Sequence, residues 1–254
     1  MGISVLVITL NEEKRRIREC LRSLAWADEI LVVDSGSTDR TVEVARQCGA
    51  RVLHHPWAGF GPQKNWGIER CRNEWVLSID ADEIITPGLA GEIRRAVSSP
   101  RAPDGYYLGI STYLGRQRIR CFEGLKLIRL FRREKGRYDD PMTDETVRVR
   151  GKTGKLQARI RHYGFSGYGE YISKFNYYTT LEAKKIDPVK VSRCPEALGM
   201  VSFLEGGKDF LKYYFLRMGV LDGSMGLFVA LYSMLYPVVS FFKAWEMQRG
   251  WLDR

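Results

Sequence analysis

Residues 75–83 read Trp-Val-Leu-Ser-Ile-Asp-Ala-Asp-Glu, an apolar run that ends in three carboxylates within four positions. A short apolar run between turn signals predicts a strand that is buried on both faces of a parallel sheet. The acidic side chains then lie at the carboxyl end of that strand, where open α/β sheets bind their ligands. This stretch therefore predicts a ligand site at the carboxyl edge of the sheet.

Two of these acids, Asp80 and Asp82, are separated by one residue, so both carboxylates can approach one point from a turn that leaves the strand. Hard divalent cations prefer oxygen ligands and often complete their coordination with substrate phosphates. An Asp-x-Asp sequence in this position is therefore a candidate platform for a metal-bound nucleotide diphosphate. Taken alone, the same sequence also fits a solvated turn after a core strand, and the context decides between the two interpretations.

The first 98 residues alternate between predicted strands and helices, which indicates a parallel, doubly wound sheet with right-handed crossovers. Asn11 is expected to cap the first helix. Because neighbouring carboxyl ends share one crevice, Asn11, Asp34 and Asp80 are expected to converge. The chain has no GxGxxG and no GxxxxGK[ST], which argues against a dinucleotide site and a P-loop. Predicted strands are 3–10, 29–34, 51–54 and the acid-bearing run, and later helices are 63–71 and 87–97.

The chain after Pro100 has a different pattern, with short strand-like segments that are rich in Tyr, Ile and Leu. Such segments predict a mixed or antiparallel sheet added to the first half. Two longer helices are predicted to follow. The strand-like segments are 105–114, 125–132, 147–150 and 155–160, and the helices are 168–185 and 198–220.

The composition is that of a globular protein, with 254 residues, 44% hydrophobic and 28% charged, and it excludes a disordered or uniformly membrane-embedded chain. A net charge of +10 favours an anionic partner: nucleic acid, a membrane surface or a phosphorylated substrate. The five cysteines form no CxxC pair and are expected to be reduced core thiols. The chain begins without a basic segment, so no signal peptide is expected.

The segment 223–242 carries no charged residue over 20 positions, although Gly, Ser and Pro dilute its apolar character. About 20 apolar residues are enough to span a bilayer. The preceding residues 210–217 mix aromatic side chains with Lys and Arg, which is typical of helices that lie in a membrane interface. Three interpretations stay open: an in-plane or re-entrant helix pair, a core or oligomer interface, and a true span.

Three motifs, each at the end of a predicted strand, resemble glycosyltransferase family 2, whose members are inverting enzymes of the GT-A fold. Two further segments resemble the bacterial branch that adds glucose to the heptose of the lipopolysaccharide inner core. The family motifs are Val7-Ile8-Thr9-Leu10-Asn11-Glu12-Glu13, Val32-Val33-Asp34-Ser35-Gly36-Ser37-Thr38-Asp39-Arg40-Thr41 and Ile79-Asp80-Ala81-Asp82-Glu83, and the branch segments are Gln63-Lys64-Asn65-Trp66 and Tyr178-Thr179-Thr180-Leu181-Glu182-Ala183.

The resemblance implies an α/β fold with a Rossmann-like, mostly parallel sheet, helices on both faces and membrane-associated helices at the C-terminus. It divides the chain into a nucleotide-sugar-binding half at 1–98, an acceptor-binding half at 99–197 and a helical membrane-associating extension at 198–254. It also implies one cation, Mg²⁺ or Mn²⁺, that bridges the diphosphate of a UDP-sugar and stabilises negative charge on the leaving UDP.

The resemblance assigns roles to individual residues. Asp82 would bind the cation, and Asp80 would contact the ribose or a metal-bound water. His162 is a further candidate for the metal or the diphosphate, although a lone histidine also fits a structural role. The residues expected to hold the nucleotide-sugar are Thr9, Asn11, Glu12, Asp34, Gln63, Asn65, Asp80 and Ala81.

An inverting transfer also needs a general base for the acceptor hydroxyl. The resemblance places an acid beyond the strands of the second half, where Asp144 and Glu145 are the candidates. The branch has His-Glu at this place, so Glu145 matches it and Asp144 replaces the histidine. Glu145 is the favoured base. The alternative for both residues is that they cap a turn.

The favoured function is a glucosyl transfer from UDP-glucose to a lipopolysaccharide core heptose at the cytoplasmic face of the inner membrane. A second hypothesis replaces this acceptor with a polyprenyl phosphate or another glycan. A third is a basic, non-catalytic protein that binds membrane or nucleic acid, and nucleic acid is disfavoured because RNA-binding motifs are absent. The polymerase motif QxxRW is also absent, which predicts one sugar per acceptor. Arg129, Arg132 and Arg133 would contact an acceptor phosphate or form a solvated basic face.

Overall fold

The computed structural model describes residues 1–139 and 146–250, and the chain divides into two compact units. Unit 1 comprises Met1–Ser111 and Gly124–Gly164, and unit 2 comprises Thr112–Glu123 and Phe165–Arg254. These units are defined by packing, so the functional division of the chain at residues 98 and 197 stays a prediction.

Four parallel strands form the first half of the sheet in the order β3-β2-β1-β4, as the alternating pattern predicts. In the register of β1, Ile8 lies beside Asp80 and Thr9 lies beside Asp34. The polar ends of three strands are therefore adjacent at one edge of the sheet. The strands are β1 Ile3–Thr9, β2 Glu29–Asp34, β3 Arg51–His54 and β4 Trp75–Asp80, and the helices between and after them are α1 Ile17–Ser23, α2 Thr41–Gln47, α3 Phe60–Arg70 and α4 Pro87–Ser98.

The second half continues the same sheet in the order β4-β8-β6-β11-β5 with β7 beside β6. The pairs β4-β8, β8-β6, β6-β7 and β11-β5 are antiparallel, so the predicted mixed sheet is confirmed. Strand β8 is antiparallel to both of its neighbours, β4 and β6, so β6 runs in the same direction as the four N-terminal strands. The strand predicted at 155–160 is longer, because β11 pairs with β5 beyond the basic segment. These strands are β5 Glu83–Ile84, β6 Gly105–Leu114, β7 Gln117–Ile119, β8 Lys126–Arg132 and β11 Thr153–Phe165, and a separate pair consists of β9 Gly136–Tyr138 and β10 Val147–Val149.

Alternate side chains of β1 enter two apolar clusters, one on each face of the sheet. Val5 and Val7 pack with residues of α1 and α4, and Leu6 packs with Ile68 of α3 on the other face. A Cβ on Gly67 of α3 would collide with the Leu6 side chain. The close approach of α3 brings the residues at its N-terminal end to the polar edge of the sheet.

Asn11 does not cap a helix, which corrects the prediction for this residue. Helix α1 begins at Ile17, and Asn11 has a φ of 55°, in the left-handed region. The Asn11 side-chain oxygen accepts a hydrogen bond from the Thr38 backbone N–H at 2.8 Å. The Asn11 amide therefore connects the loops that follow β1 and β2 and does not accept a hydrogen bond from α1.

Unit 2 is mainly helical, with α5 Tyr168–Ala183, α6 Pro188–Arg193, α7 Pro195–Leu211 and α8 Ser224–Gln248. The predicted helix 198–220 is shorter, because a π-helical segment at Lys212–Leu216 and a 3-10 turn at Gly219–Asp222 follow α7. Among the described helices, α8 alone is long and apolar enough to cross a membrane.

The cysteine prediction is correct for Cys20, Cys71 and Cys121, which are buried free thiols. It is wrong for Cys194, which is exposed between α6 and α7, and Cys48 is only partly buried. An apolar residue type at a helix boundary is not enough to predict burial.

Candidate functional site

Asp34 organises the loop that follows β2, at the end of the strand beside β1. Its buried carboxylate accepts hydrogen bonds from the backbone N–H groups of Gly36 and Ser37, at 2.9 and 2.8 Å. It also accepts hydrogen bonds from the hydroxyl groups of Thr9, at 3.0 Å, and Ser37. Four donors therefore fix this one side chain and the loop around it.

The loop after β1 is fastened to the loop after β2 through backbone groups. The Asn11 N–H donates to the Ser37 hydroxyl at 2.9 Å, and the Glu12 N–H donates to the Thr41 hydroxyl at 2.7 Å. The Glu12 side chain is 15% exposed and faces Arg15. The structure therefore brings Thr9, Asn11, Glu12 and Asp34 together, as the sequence predicts, and leaves Asn11 exposed at the rim.

Gln63 and Asn65 on α3 have different surroundings. The buried Gln63 amide donates to the Ser35 hydroxyl and to the His55 carbonyl, both at 3.0 Å, so it joins the Asp34 loop. The Asn65 amide makes two bonds with the backbone of Tyr138, one from the Tyr138 N–H at 2.9 Å and one to the Tyr138 carbonyl at 3.0 Å. Asn65 therefore holds β9, and its contact with a nucleotide stays a prediction.

Asp80, whose side chain is 35% exposed, lies in a cluster of four charges whose other three members are buried. One carboxylate oxygen lies 3.0 Å from the Lys64 Nζ, and the other accepts a bond of 2.8 Å from the Arg129 guanidinium. The same Arg129 nitrogen donates to Glu83 at 3.0 Å. Lys64, Glu83 and Arg129 are each less than 8% exposed. Two cations and two anions thus form a compact cluster, which we call the Asp80 cluster: Lys64, Asp80, Glu83 and Arg129.

The electrostatics of the Asp80 cluster separate its two acids. Burial opposes ionisation of Asp80, but the charges of Arg129 and then Lys64 outweigh it and hold the pKa of this carboxyl well below its usual range. Burial raises the pKa of Glu83 above its ordinary value, although the Arg129 charge counteracts this. Asp80 is therefore the firmly ionised member, and both of its oxygens already contact cations.

Asp82 differs from Asp80 in its partners, because no Lys or Arg among the described residues pairs with it. Its side chain is 15% exposed, and its carboxylate lies 3.5 Å from the Nε2 of His162. Burial alone would lower the pKa of His162. The hydrogen bond with Asp82 and the charges of Asp82, Glu83 and Asp80 outweigh burial, so the pKa of His162 lies above its ordinary value. The two residues meet because His162 on β11 pairs with Glu83 on β5, and Ala81 is buried between the two aspartates.

The residues present fit a cation whose coordination is completed by a substrate. Within residues 1–139 and 146–250, no group of three or more His, Cys, Asp or Glu side chains is arranged to hold a metal. Asp82 and His162 supply two donors side by side. Mg²⁺ is commonly bound through one or two carboxylates together with substrate phosphates, so this donor set suits a cation that arrives with a diphosphate.

The candidate bases Asp144 and Glu145 lie outside the described residues. The strands that flank their segment are described: β9 pairs with β10, and the Asp139 N–H donates to the Thr146 carbonyl at 2.9 Å. The Tyr138 hydroxyl donates to Ser78 of β4 at 2.8 Å. The base of this hairpin is therefore attached to the strand that carries the acidic turn.

The predicted role of Arg129, Arg132 and Arg133 as a phosphate-binding or solvated face is wrong for Arg129, which is buried in the Asp80 cluster. Arg132 pairs with Glu74 and Asp104, and Arg133 donates to the Cys71 carbonyl. The sequence contains a signal for this outcome, because Arg129 interrupts the apolar run of β8 and a charge in such a run requires a buried partner.

The comparisons with known proteins agree on one family. A family model described as glycosyl transferase family 2 matches residues 4–140. An uncharacterized glycosyltransferase of Rickettsia typhi is 32% identical over 232 residues, 85% of this chain and 77% of that protein. LpsC of Rhizobium meliloti, described as a lipopolysaccharide core biosynthesis glycosyltransferase, is 31% identical over 195 residues, 72% of this chain and 71% of that protein.

Among solved structures, S. aureus TarS 1-349 in complex with UDP-GlcNAc is similar over 98% of this chain and 92% of that chain, with a TM-score of 0.52. At 18% identity this likeness concerns the fold alone. Together with the family match and the relatives, it leads to one assignment: the chain belongs to glycosyltransferase family 2, has the GT-A fold and is a glycosyltransferase.

Proposed function

We propose that this protein is an inverting, metal-dependent, non-processive enzyme that transfers glucose from UDP-glucose to a heptose of the lipopolysaccharide inner core. The observation that carries the proposal is the arrangement at the carboxyl edge of the parallel strands. There the loop after β1, which contains Asn11, the loop after β2, which is held by Asp34, and the acidic turn 80–83 are adjacent. This edge is where open α/β sheets bind nucleotides.

The donor assignment follows from this edge. Thr9, Asn11, Glu12 and Asp34 supply carboxylate, amide and hydroxyl groups for a uracil and a ribose, and Gln63 extends the same network through Ser35. The fold shared with TarS, which is described with UDP-GlcNAc, supports a UDP-sugar. Asp80 and Ala81 then lie beside the ribose and the diphosphate.

Asp82 and His162 are the residues that would hold Mg²⁺ or Mn²⁺ beside the diphosphate. The cation supplies electrostatic stabilisation of the charge that develops on the leaving UDP. Glu145, or Asp144 in its place, would accept the proton of the attacking hydroxyl from the face of the sugar opposite UDP.

The acceptor assignment rests on the relative LpsC, which is described as acting in lipopolysaccharide core biosynthesis. The second candidate acceptor is a polyprenyl phosphate, which also presents its reactive group at a membrane. Either acceptor requires the enzyme to work at a bilayer surface, and the absence of QxxRW favours one sugar per acceptor.

Binding of UDP tests the donor site. Saturating UDP with Mn²⁺ should raise the midpoint of thermal unfolding by roughly 5–10 °C, because a ligand at 100 times its Kd stabilises the folded state by about 2.7 kcal/mol. Asp82→Asn should remove the part of the shift that depends on Mn²⁺, whereas Asp209→Asn, a change on exposed α7, should retain it. If UDP causes no shift with the wild-type protein, the non-catalytic binding protein becomes the better hypothesis.

Transfer of labelled glucose tests the acceptor and the base. UDP-[¹⁴C]glucose should label heptose-terminated lipopolysaccharide and not polyprenyl phosphate, and the reverse result would select the second acceptor. Glu145→Gln should lower turnover by at least about 100-fold, because a general base contributes that much, while UDP binding is retained. If Asp144→Asn has this effect and Glu145→Gln does not, the assignment of the base is wrong.

Association with the cytoplasmic membrane face is proposed from unit 2. The residues between α7 and α8 are strongly exposed and apolar, with Leu216 81% exposed. Lys212 and Arg217 are exposed in the same segment, and Lys208 is exposed in the last turn of α7. Apolar tips flanked by cations suit insertion into an anionic interface. Further exposed apolar residues on the C-terminal half of α7 and after it include Phe203, Leu204, Leu211, Phe215, Met218, Val220 and Leu221.

For the packed pair α7 and α8, an arrangement in the plane of the membrane interface is favoured over two helices that cross the bilayer. Helix α7 carries Glu205, Lys208 and Asp209 near its C-terminal end, and burying such charges in a bilayer is costly. Only 33% of the most apolar window of α8 is buried, so α8 is not an ordinary core helix. Close packing of α7 on α8 is made possible by Gly206, where a Cβ would collide with the Met234 backbone.

Sedimentation with lipid vesicles tests this surface. The wild-type protein should bind vesicles that contain phosphatidylglycerol more strongly than phosphatidylcholine vesicles, and salt should weaken the binding. Phe215→Gln with Leu216→Gln should lower binding at least about tenfold, because two large apolar side chains leave the interface. Leu125→Gln, a change at an exposed leucine of unit 1, is the matched control. Unchanged binding of the double variant, or self-association without vesicle binding, would contradict the proposal.

A further inference from the structure

We propose that Glu83 and Arg129 are positioning residues of the transfer reaction, an inference that rests on the proposed function. They fix the acidic turn and occupy Asp80, so that Asp82 is the carboxylate that faces the diphosphate and its cation. Neither residue would contact substrate. Their effect would be transmitted through the shape of the turn and through the charge left available at its tip.

Glu83 closes the turn from within. One of its carboxylate oxygens accepts the Asp80 backbone N–H at 2.9 Å, and the other accepts the Arg129 guanidinium at 3.0 Å. The Asp82 carbonyl in turn accepts the Tyr163 N–H at 2.9 Å. The backbone of the turn is therefore held at Asp80 by a side chain and at Asp82 by β11.

Arg129 connects this closure to Asp80. One of its terminal nitrogens donates to Asp80 at 2.8 Å and to Glu83 at 3.0 Å. Its Nε is buried and has no hydrogen-bond acceptor among the described residues. The carboxylates of Asp80 and Glu83 thus hold the Arg129 guanidinium in place, and Arg129 in turn holds both carboxylates.

The charges of the cluster determine which aspartate is available. Lys64 and Arg129 balance Asp80 and Glu83, and each Asp80 oxygen already contacts a cation. Asp82 lies outside this balance, and among the described residues its carboxylate has only His162 within 4.0 Å as a possible cationic partner. A cation brought by a diphosphate would therefore meet Asp82 as the acid whose charge is not neutralised by Lys64 or Arg129.

A positioning role of Glu83 and Arg129 can be distinguished from a contribution to the stability of the fold. Removing one partner of a buried pair leaves an unpaired buried charge and destabilises the protein. The double variant Glu83→Gln, Arg129→Met removes one charge of each sign, so that Lys64 and Asp80 still balance. It loses the bonds of Arg129 to Asp80 and Glu83, and a neutral amide replaces the carboxylate that accepts the Asp80 N–H, so it is the informative variant.

The test compares this double variant with the wild-type protein in binding and in turnover. We expect its affinity for UDP with Mn²⁺ to fall about 10- to 100-fold, as is common for groups that orient a metal ligand, while its affinity for UDP without Mn²⁺ changes less than about threefold. Turnover of the double variant should fall by at least about tenfold. Arg129→Lys in place of Arg129→Met should recover part of this loss, because a cation again reaches Asp80.

The matched control is Glu69→Gln with Arg137→Met, which removes an ion pair of 2.7 Å between two side chains that are each 53% exposed. It should leave the Mn²⁺-dependent affinity unchanged. Circular dichroism and the thermal midpoint without ligand identify the folded fraction. If the double variant does not fold, Glu83→Gln alone is measured, and it should show the same selective loss of Mn²⁺-dependent binding.

The outcomes separate this inference from the proposed function. If the wild-type protein binds UDP with Mn²⁺ and the double variant binds it equally well, the inference is overturned and the donor site stands. The same holds if only the thermal midpoint falls, since that is a structural role. If the wild-type protein shows no Mn²⁺-dependent binding of UDP, the donor assignment and this inference are both overturned.

Discussion

The contact between Asp80 and the two cations Lys64 and Arg129 is the interaction on which the candidate site depends. Lys64, Glu83 and Arg129 are buried ions, and removing the partner of a buried ion is destabilising because the remaining charge is left unpaired. The cluster therefore persists only as a whole. It joins α3, β4, β5 and β8, so one set of contacts connects the four N-terminal strands to the second half of the sheet.

The rest of the edge is assembled from loops that satisfy each other's backbone groups. Asp34 collects two N–H groups and two hydroxyls, and Asn11 joins the neighbouring loop to it. Such a network is fixed before any ligand arrives. Pre-organised polar groups lower the cost of binding, because side chains and loops are already ordered. The edge remains accessible at the exposed Asn11 and at the acidic turn, where the side chains of Asp80 and Asp82 are 35% and 15% exposed.

The sequence allows much of this arrangement to be predicted. Alternating strands and helices give the parallel order, and Asp34 and Asp80 follow apolar runs, so their convergence follows from the topology of parallel strands. The second half of the sheet is less predictable because pairing there depends on contacts distant in sequence, as in the extension of β11 beside β5. The start of α1 is mispredicted because Asn11 bonds to Thr38 instead of capping.

The partners of individual side chains are the part that sequence patterns do not supply. Asn65 fits a ligand contact by its motif, yet both of its polar atoms bond to Tyr138, a residue 73 positions away. Arg129 belongs to a basic segment, yet its guanidinium is buried because two acids from the β4–β5 turn face it. Such pairings follow from the packing of the sheet, and no local pattern encodes them.

The central claim is that Asp80 stays with its cations and Asp82 alone of the two aspartates meets the metal. A crystal structure of the protein with UDP and Mn²⁺ tests it most directly, because the anomalous signal of manganese locates the ion independently. We predict an ion bound to an Asp82 oxygen and to the diphosphate, with the contacts of Lys64 and Arg129 to Asp80 intact. An ion coordinated by Asp80, with either contact broken, would contradict the account.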